Sequence, residues 1–315
     1  AAYGEGTPLG RSTLDQHKLA QVQADTVKNF MKKWYTPSRM VIGGLGLDHG
    51  RLVEQSEKLF GHLEPDNLPV ATEASVMTPY YPLPPKSDYQ GGFLSLNDDR
   101  EDKIGTELPG NFYCFASAFV GFDAPSLLSG RDYYTTSILA TLLGTGSSFS
   151  SGGPGKGMFS RVYKEILSNG YVESGQHIYN AHTDGGVFGL SLTGYQNYLP
   201  RLLELATVGM LRLQSITEEE FQRAKNQLKS QVCTNLEGTH PTLDDLIRQI
   251  SYYNMRCDYE YHVATIDSIT MEETLALVHK MLKTEPSIIV YGTEKARTGL
   301  SHDAIRQFIK SNVSE

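Results

Sequence analysis

The most distinctive chemistry in the chain lies in one glycine- and serine-rich tract, Gly144-Thr145-Gly146-Ser147-Ser148-Phe149-Ser150-Ser151-Gly152-Gly153-Pro154-Gly155-Lys156-Gly157. Its six glycines and four serines leave accessible backbone N–H groups and little side-chain bulk, with Phe149 and Lys156 as the side-chain handles. A phosphate cradle would need Ser or Thr after the Gly-Lys pair, but Gly157 follows Lys156. A dinucleotide loop would need a third glycine where Phe149 stands. The spacing is wrong for both. Two readings remain: a backbone that offers hydrogen bonds to an extended peptide, and a solvated connection of the kind most Gly/Ser tracts form. The tract lies between helical patterns inside a domain, where connections are normally short, which favours the first.

Metal and nucleophile chemistry is not legible elsewhere. The nine histidines are His17, His49, His62, His177, His182, His240, His262, His279 and His302, and none forms H-x-x-E-H or its inverse. His177 and His182 are five residues apart on a strand and its exit, so they point to opposite faces. His62-x-Glu64 lacks the P-C-x-x-C partner of a zinc deaminase. Asp48 before His49 reads as a helix cap. Cys114, Cys233 and Cys257 are isolated and read as buried or idle thiols in a reducing compartment. No G-x-S-x-G elbow is present, and Glu218-Glu219-Glu220 sits where carboxylates favour a helix dipole, a mainly structural role.

Composition narrows the class. The 315 residues are 39% apolar, enough for real cores and for about two domains. With 28 basic against 36 acidic residues the net charge is -8, against the basic face of a duplex nucleic-acid binder. No run of ~18 apolar residues marks a transmembrane helix. The opening Ala1-Ala2-Tyr3-Gly4-Glu5-Gly6-Thr7-Pro8-Leu9-Gly10 has no basic-then-apolar leader pattern and reads like the inside of a domain.

The elements that would position the tract follow from periodicity. Val27, Phe30, Met31 and Trp34 form one apolar stripe on a helix over 24–35 that stops at Pro37. A buried strand is expected over 39–45, then a helix over 50–63 with Leu52, Val53, Leu59 and Phe60 inward. Six prolines between 65 and 90 read as an extended linker. Strands are expected over 112–122, 172–179 and 186–193. Helices are expected over 131–143, 158–167, 198–214, 218–235 and 243–253. Thr217 with Glu220 and Thr270 with Glu273 spell capping boxes. Helix, proline, apolar strand and glycine recur at 37–43 and 286–292, a hint of duplicated domains.

Residues 146–163, through Met158-Phe159-Ser160-Arg161-Val162-Tyr163, resemble the glycine-rich loop and following helix of the α subunits of mitochondrial processing peptidase, in the pitrilysin-like M16 metallopeptidase family. Residues 35–42, Gly46-Leu47-Asp48-His49, His240-Pro241, Asp244-Asp245, Arg248-Gln249 and 286–292 carry the same likeness. The resemblance implies an α+β fold of two homologous domains, each a mostly antiparallel sheet with helices packed on one face, the first present only in its second half. The corresponding segments are 1–64 for that half-domain, 65–90 for a Pro-rich linker and 91–315 for the second domain with its glycine-rich loop.

The implied function is that of a non-catalytic subunit with no activity of its own. It would bind presequences of imported mitochondrial precursors through Gly146, Ser147, Phe149, Ser150, Gly152, Gly153, Pro154, Gly155, Lys156 and Gly157. The implied partner is the catalytic β subunit, which holds the zinc; no cofactor, metal ligand or catalytic residue is expected in this chain, and no nucleic acid. Cationic presequences suit the acidic balance. The implied location is the mitochondrial matrix. An alternative is a structural core subunit of the cytochrome bc1 complex, partnered by its other subunits at the inner membrane, a role some lineages combine with peptidase work. A self-sufficient zinc protease would need a metal motif that this chain does not show. A half-domain alone would expose sheet edge and apolar helix faces, so residues 1–63 are expected to be covered by another segment or chain, or else poorly ordered.

Overall fold

The computed structural model describes residues 1–11, 16–64, 86–98, 115–147 and 159–313. The helices are α1 (Gln16–Leu19), α2 (Ala24–Trp34), α3 (His49–Phe60), α4 (Arg131–Leu143), α5 (Leu199–Leu211), α6 (Glu218–Glu237), α7 (Thr239–Tyr253), α8 (Tyr259–Ser268), α9 (Met271–Leu282), α10 (Glu294–Arg297) and α11 (His302–Asn312). The strands are β1 (Gly92–Asn97), β2 (Phe115–Ala124), β3 (Thr145–Ser147), β4 (Val172–Ala181), β5 (Gly186–Tyr195) and β6 (Ser287–Gly292). Packing groups the chain into two units that are each discontinuous in sequence, Ala1–Gly10 with Lys86–Leu228 and Thr265–Glu315, and Arg11–Pro85 with Lys229–Ala264.

The first unit holds one six-stranded sheet in the order β1-β6-β2-β5-β4-β3. Only β1 and β6 run parallel; the other described pairings are antiparallel. Period-2 alternation sends Ala116, Ala118, Val120 and Phe122 of β2 to one face, where register aligns Val120 with Leu190 of β5 and Ile288 of β6. These residues and Phe188, Leu192 and Val290 are all buried. Helices α4, α5 and α9 cover that face. Pro200 in the first turn of α5 suits its start, and Leu202, Leu203, Ala206 and Met210 give it a buried side. Each fully buried Leu, Val or Phe contributes roughly 1.5–3 kcal/mol relative to exposure, so this layer is where the unit's stability is concentrated. The α+β fold with a mostly antiparallel sheet and helices on one face is as the sequence implied.

Element by element, the capping boxes form: Glu220 N donates to Thr217 Oγ1 at 3.3 Å while Thr217 N donates to Glu220 at 3.0 Å, and Thr270 and Glu273 do the same. Asp48 caps α3 by accepting from Arg51 N at 2.9 Å. Three expectations need correction. Residues 39–45 are not a paired strand: Pro37–Arg39 forms a 3-10 turn, and Met40 is extended at φ −102° and ψ 133°, but no described strand lies beside it to complete a ladder. The apolar side chains of α2 and α3 are not inward either. Phe30, Met31, Trp34, Val53, Leu59 and Phe60 are exposed, because no strand layer covers them among the described residues of the second unit. The parallel strand β1, which carried no strong alternation signal, was missed altogether. Residues 65–85 of the expected linker lie outside the described residues, whereas Tyr89 pairs with Tyr3 in an isolated β-bridge.

Within the second unit, α7 supplies the tightest contacts. Gly43 lies flat against Ile247, so that a β-carbon there would meet Ile247 Cγ1 at 2.7 Å. Gln249 is buried and fully used: its Oε1 accepts from Cys257 N at 2.6 Å and its Nε2 donates to Asp245 Oδ2 at 2.8 Å. Asp245 in turn pairs with Arg256.

Candidate functional site

The glycine-rich tract begins on a defined edge of the sheet. Gly144 follows α4 with φ +72°, a left-handed conformation that favours glycine. Thr145, Gly146 and Ser147 then form β3, aligned with Gln176, Gly175 and Ser174 of β4. Gly144 O accepts the backbone N–H of His177 at 3.2 Å and faces His177 Nδ1 at 3.1 Å, so the ring proton sits on Nδ1. Burial pulls the His177 pKa below the ordinary imidazole value. This histidine is a structural clamp on the tract's entry.

The chain returns at Phe159, and its return is anchored more strongly than its departure. A β-carbon on Gly144 would come within 2.6 Å of Ser160 Oγ, so the two ends of the excursion touch. Arg161, itself buried, donates from Nε and Nη2 to both carboxylate oxygens of Glu220 at 2.9 and 2.8 Å. Its remaining donors reach Arg212 O at 2.6 Å and Ser215 O at 2.9 Å. Such a fork-to-fork pair is strong and geometrically specific. Hydrogen bonding from Arg161 holds the Glu220 carboxyl down to about 2. Phe159 is exposed, with Lys164 Nζ 5.1 Å and the Arg223 guanidinium 5.5 Å from its ring centre.

Of the residues expected to bind substrate, Gly146 and Ser147 are in β3, where Gly146 leaves room for Leu167. Phe149, Ser150, Gly152, Gly153, Pro154, Gly155, Lys156 and Gly157 lie outside the described residues. What sequence reasoning did not assign is the pair that fixes the neck, Arg161 and Glu220. The signal was available in part: Glu220 was read as a structural carboxylate, and its partner lies on the helix that follows the tract.

The sheet face opposite the helices is a second feature. Ser117 and Phe119 of β2, Ser191 of β5, and Ile289 and Tyr291 of β6 line a cavity of about 440 Å³, closed on one side by Tyr3 and Leu9. The Phe119 ring lies across two glycines: β-carbons at Gly121 and Gly189 would meet its ring at 2.9 and 2.7 Å. Beyond the Tyr3–Tyr89 edge contact, with ring centres 5.8 Å apart, lies a cavity of about 300 Å³ that is bordered by Asp88, Asp123, Asp132 and Asp184 and by Lys86 and Lys280. Burial raises the Asp123 pKa above the ordinary carboxylate value and raises both tyrosines above the ordinary phenol. The alternation of 112–122 announced two faces of this strand without saying which would stay open.

Among the described residues, no three His, Cys, Asp or Glu side chains converge as metal ligands. His177 already spends its Nδ1 on Gly144 O. The donor set described does not fit a catalytic zinc. What it does offer is a strand edge leading into a glycine-rich backbone, an anchored return and an open sheet face, all suited to holding a polypeptide rather than to bond chemistry.

The chain matches the family described as the peptidase M16 inactive domain over residues 21–228. The α subunit of mitochondrial-processing peptidase from Caenorhabditis elegans is 28% identical over 300 residues, covering 94% of this chain and 57% of that protein. The probable α subunit from Schizosaccharomyces pombe is 30% identical over 285 residues, covering 88% and 53%. The Bos taurus α subunit is 27% identical over 298 residues, covering 93% and 54%. The chain therefore spans about half the length of the curated relatives it matches. In structure it is similar to a chain of complex III2 from Candida albicans with Inz-5 bound, at TM-score 0.75 and 18% identity, over 98% of this chain and 67% of that one, a likeness of fold.

Proposed function

The chain belongs to the peptidase M16 family through its inactive domain, and from that premise we propose that it is a non-catalytic, substrate-recognising part of a mitochondrial processing peptidase. Its task is to bind presequences through the glycine-rich tract and present them to a catalytic β partner. The observation that carries this reading is the anchored neck: Gly144 against Ser160, and Arg161 locked on Glu220, hold both ends of a backbone-rich segment in place. An anchored origin lowers the ordering entropy lost when the tract meets a peptide. The relatives' shared name, mitochondrial-processing peptidase subunit alpha, supports it. In this reading the chain carries no cofactor, and zinc belongs to the partner. The location is the mitochondrial matrix; no described helix is long and apolar enough to cross a membrane.

The test is precursor cleavage by a heterodimer reconstituted with the catalytic subunit, with and without residues 146–156. Loss of cleavage with the partner's zinc content unchanged supports the reading, and unchanged cleavage contradicts it. A second reading, a structural core subunit of a cytochrome bc1 complex, is favoured by the likeness to a complex III2 chain. Co-purification with cytochromes b and c1 is its expected mark.

A further inference from the structure

We infer that the open face of the sheet is a two-compartment binding site for a peptide segment that presents a bulky apolar side chain close to a lysine or arginine. The inference deepens the substrate-recognising role proposed above and rests on it. The first compartment is the cavity of about 440 Å³ floored by Phe119, with Ile289 and Tyr291 giving apolar and aromatic surface and Ser117 and Ser191 giving hydroxyls. That is room for a leucine- or phenylalanine-sized side chain together with some of its backbone. Its floor is built to stay low: Gly121 and Gly189 have no β-carbon, and the Phe119 ring lies down over them.

The second compartment has the opposite chemistry. Four aspartates, Asp88, Asp123, Asp132 and Asp184, border it against two lysines, Lys86 and Lys280, a balance of two negative charges. None of these aspartates forms an ion pair among the described residues. The two cavities meet at a wall made of Tyr3 and Tyr89. Tyr89 borders the acidic cavity, yet its hydroxyl sits 2.8 Å from Ser287 Oγ, which borders the apolar one. Tyr3 donates to Gly186 O at 3.0 Å, next to Gly185 in the acidic cavity. A cationic side chain reaching over this wall would pass aromatic faces before meeting carboxylates, a favourable path at every point. Neither compartment alone selects much. Together they ask for apolar and basic side chains in neighbouring positions, and charge complementarity sets the sign.

The experiment uses the 315-residue chain and three short fluorescein-labelled peptides: one with leucines and arginines, one with its arginines changed to glutamine, and one with its leucines changed to alanine. Fluorescence anisotropy is expected to show each altered peptide binding about tenfold more weakly than the first. Ser191→Phe, which fills the apolar compartment, should weaken the leucine–arginine peptide about tenfold, with thermal unfolding checked for integrity. Asp123→Asn with Asp132→Asn, both at the surface of the acidic compartment, should abolish the preference for arginine over glutamine. Equal binding of all three peptides, or no effect of either variant, overturns the inference. If the variants change nothing while cleavage still depends on residues 146–156, the compartments fall and the functional reading stands. If the unaltered peptide does not bind at all, both fall.

Discussion

Gly144 and Ser160 touch so closely that a single methyl group would not fit between them: a β-carbon on Gly144 would stand 2.6 Å from Ser160 Oγ. The two residues lie sixteen positions apart and bracket the glycine-rich tract, so its departure and return share one point on the sheet edge. Gly144→Ala meets two penalties, the positive φ of +72° and the lost gap. Strain at such a φ and overpacking together cost about 2–4 kcal/mol. The expected outcome is a lower Tm in calorimetry and weaker presequence-peptide binding; an unchanged Tm would mean the neck is loose.

The Arg161–Glu220 pair gives stability a definite pH dependence. The folded-state carboxyl is held to about 2, mainly by hydrogen bonding from Arg161, below the roughly 4.3 of an unfolded glutamate. A depressed carboxylate stabilises the fold fully above the unfolded value, and that contribution is lost as pH falls towards 2. Glu220→Gln should cost ~2 kcal/mol at pH 7, and the gap to the unaltered protein should narrow as pH falls from about 5 towards 2. Parallel denaturation curves across that range would contradict the assignment.

Arg131 and Glu273 offer a control of the opposite kind. Their guanidinium and carboxylate are 2.9 Å apart, but both side chains are about half exposed. Exposed pairs contribute little, so Arg131→Ala should change stability by less than about 1 kcal/mol. A larger loss would show that the Arg131 bonds to Ser268, at 2.7 Å through Oγ, matter more than the ion pair.

Gln249 tests the second unit. It accepts from the buried N–H of Cys257 and donates to Asp245, and both partners lose a bond in Gln249→Ala. An orphaned buried donor costs about 1–3 kcal/mol, so faster amide exchange at Cys257 and a matching loss of stability are expected. Unchanged exchange at that amide would count against the network.

Legibility followed the reach of each physical signal. Local chemistry read well: the capping boxes of Thr217 and Thr270, the cap at Asp48 and the helix over 131–143 all depend on neighbours within a few residues. The alternation of β2 revealed a sheet with two faces. Signals that depend on distant partners did not read. Apolar content alone made 39–45 look like a buried strand, yet a ladder needs a second strand, and none stands beside it among the described residues. The stripe of Phe30, Met31 and Trp34 has the helical period of a core face, but periodicity cannot say what covers it. For the candidate site, composition singled out the tract itself. The neck was invisible because Gly144 meets Ser160, and Arg161 meets Glu220, only after folding.

The most direct measurement is presequence-peptide binding by a heterodimer reconstituted with the catalytic subunit, comparing the intact chain with one lacking residues 146–156. The account predicts a large loss of affinity on deletion, with the partner's zinc content and the stability of the sheet unchanged. Equal affinity with and without the tract would contradict it.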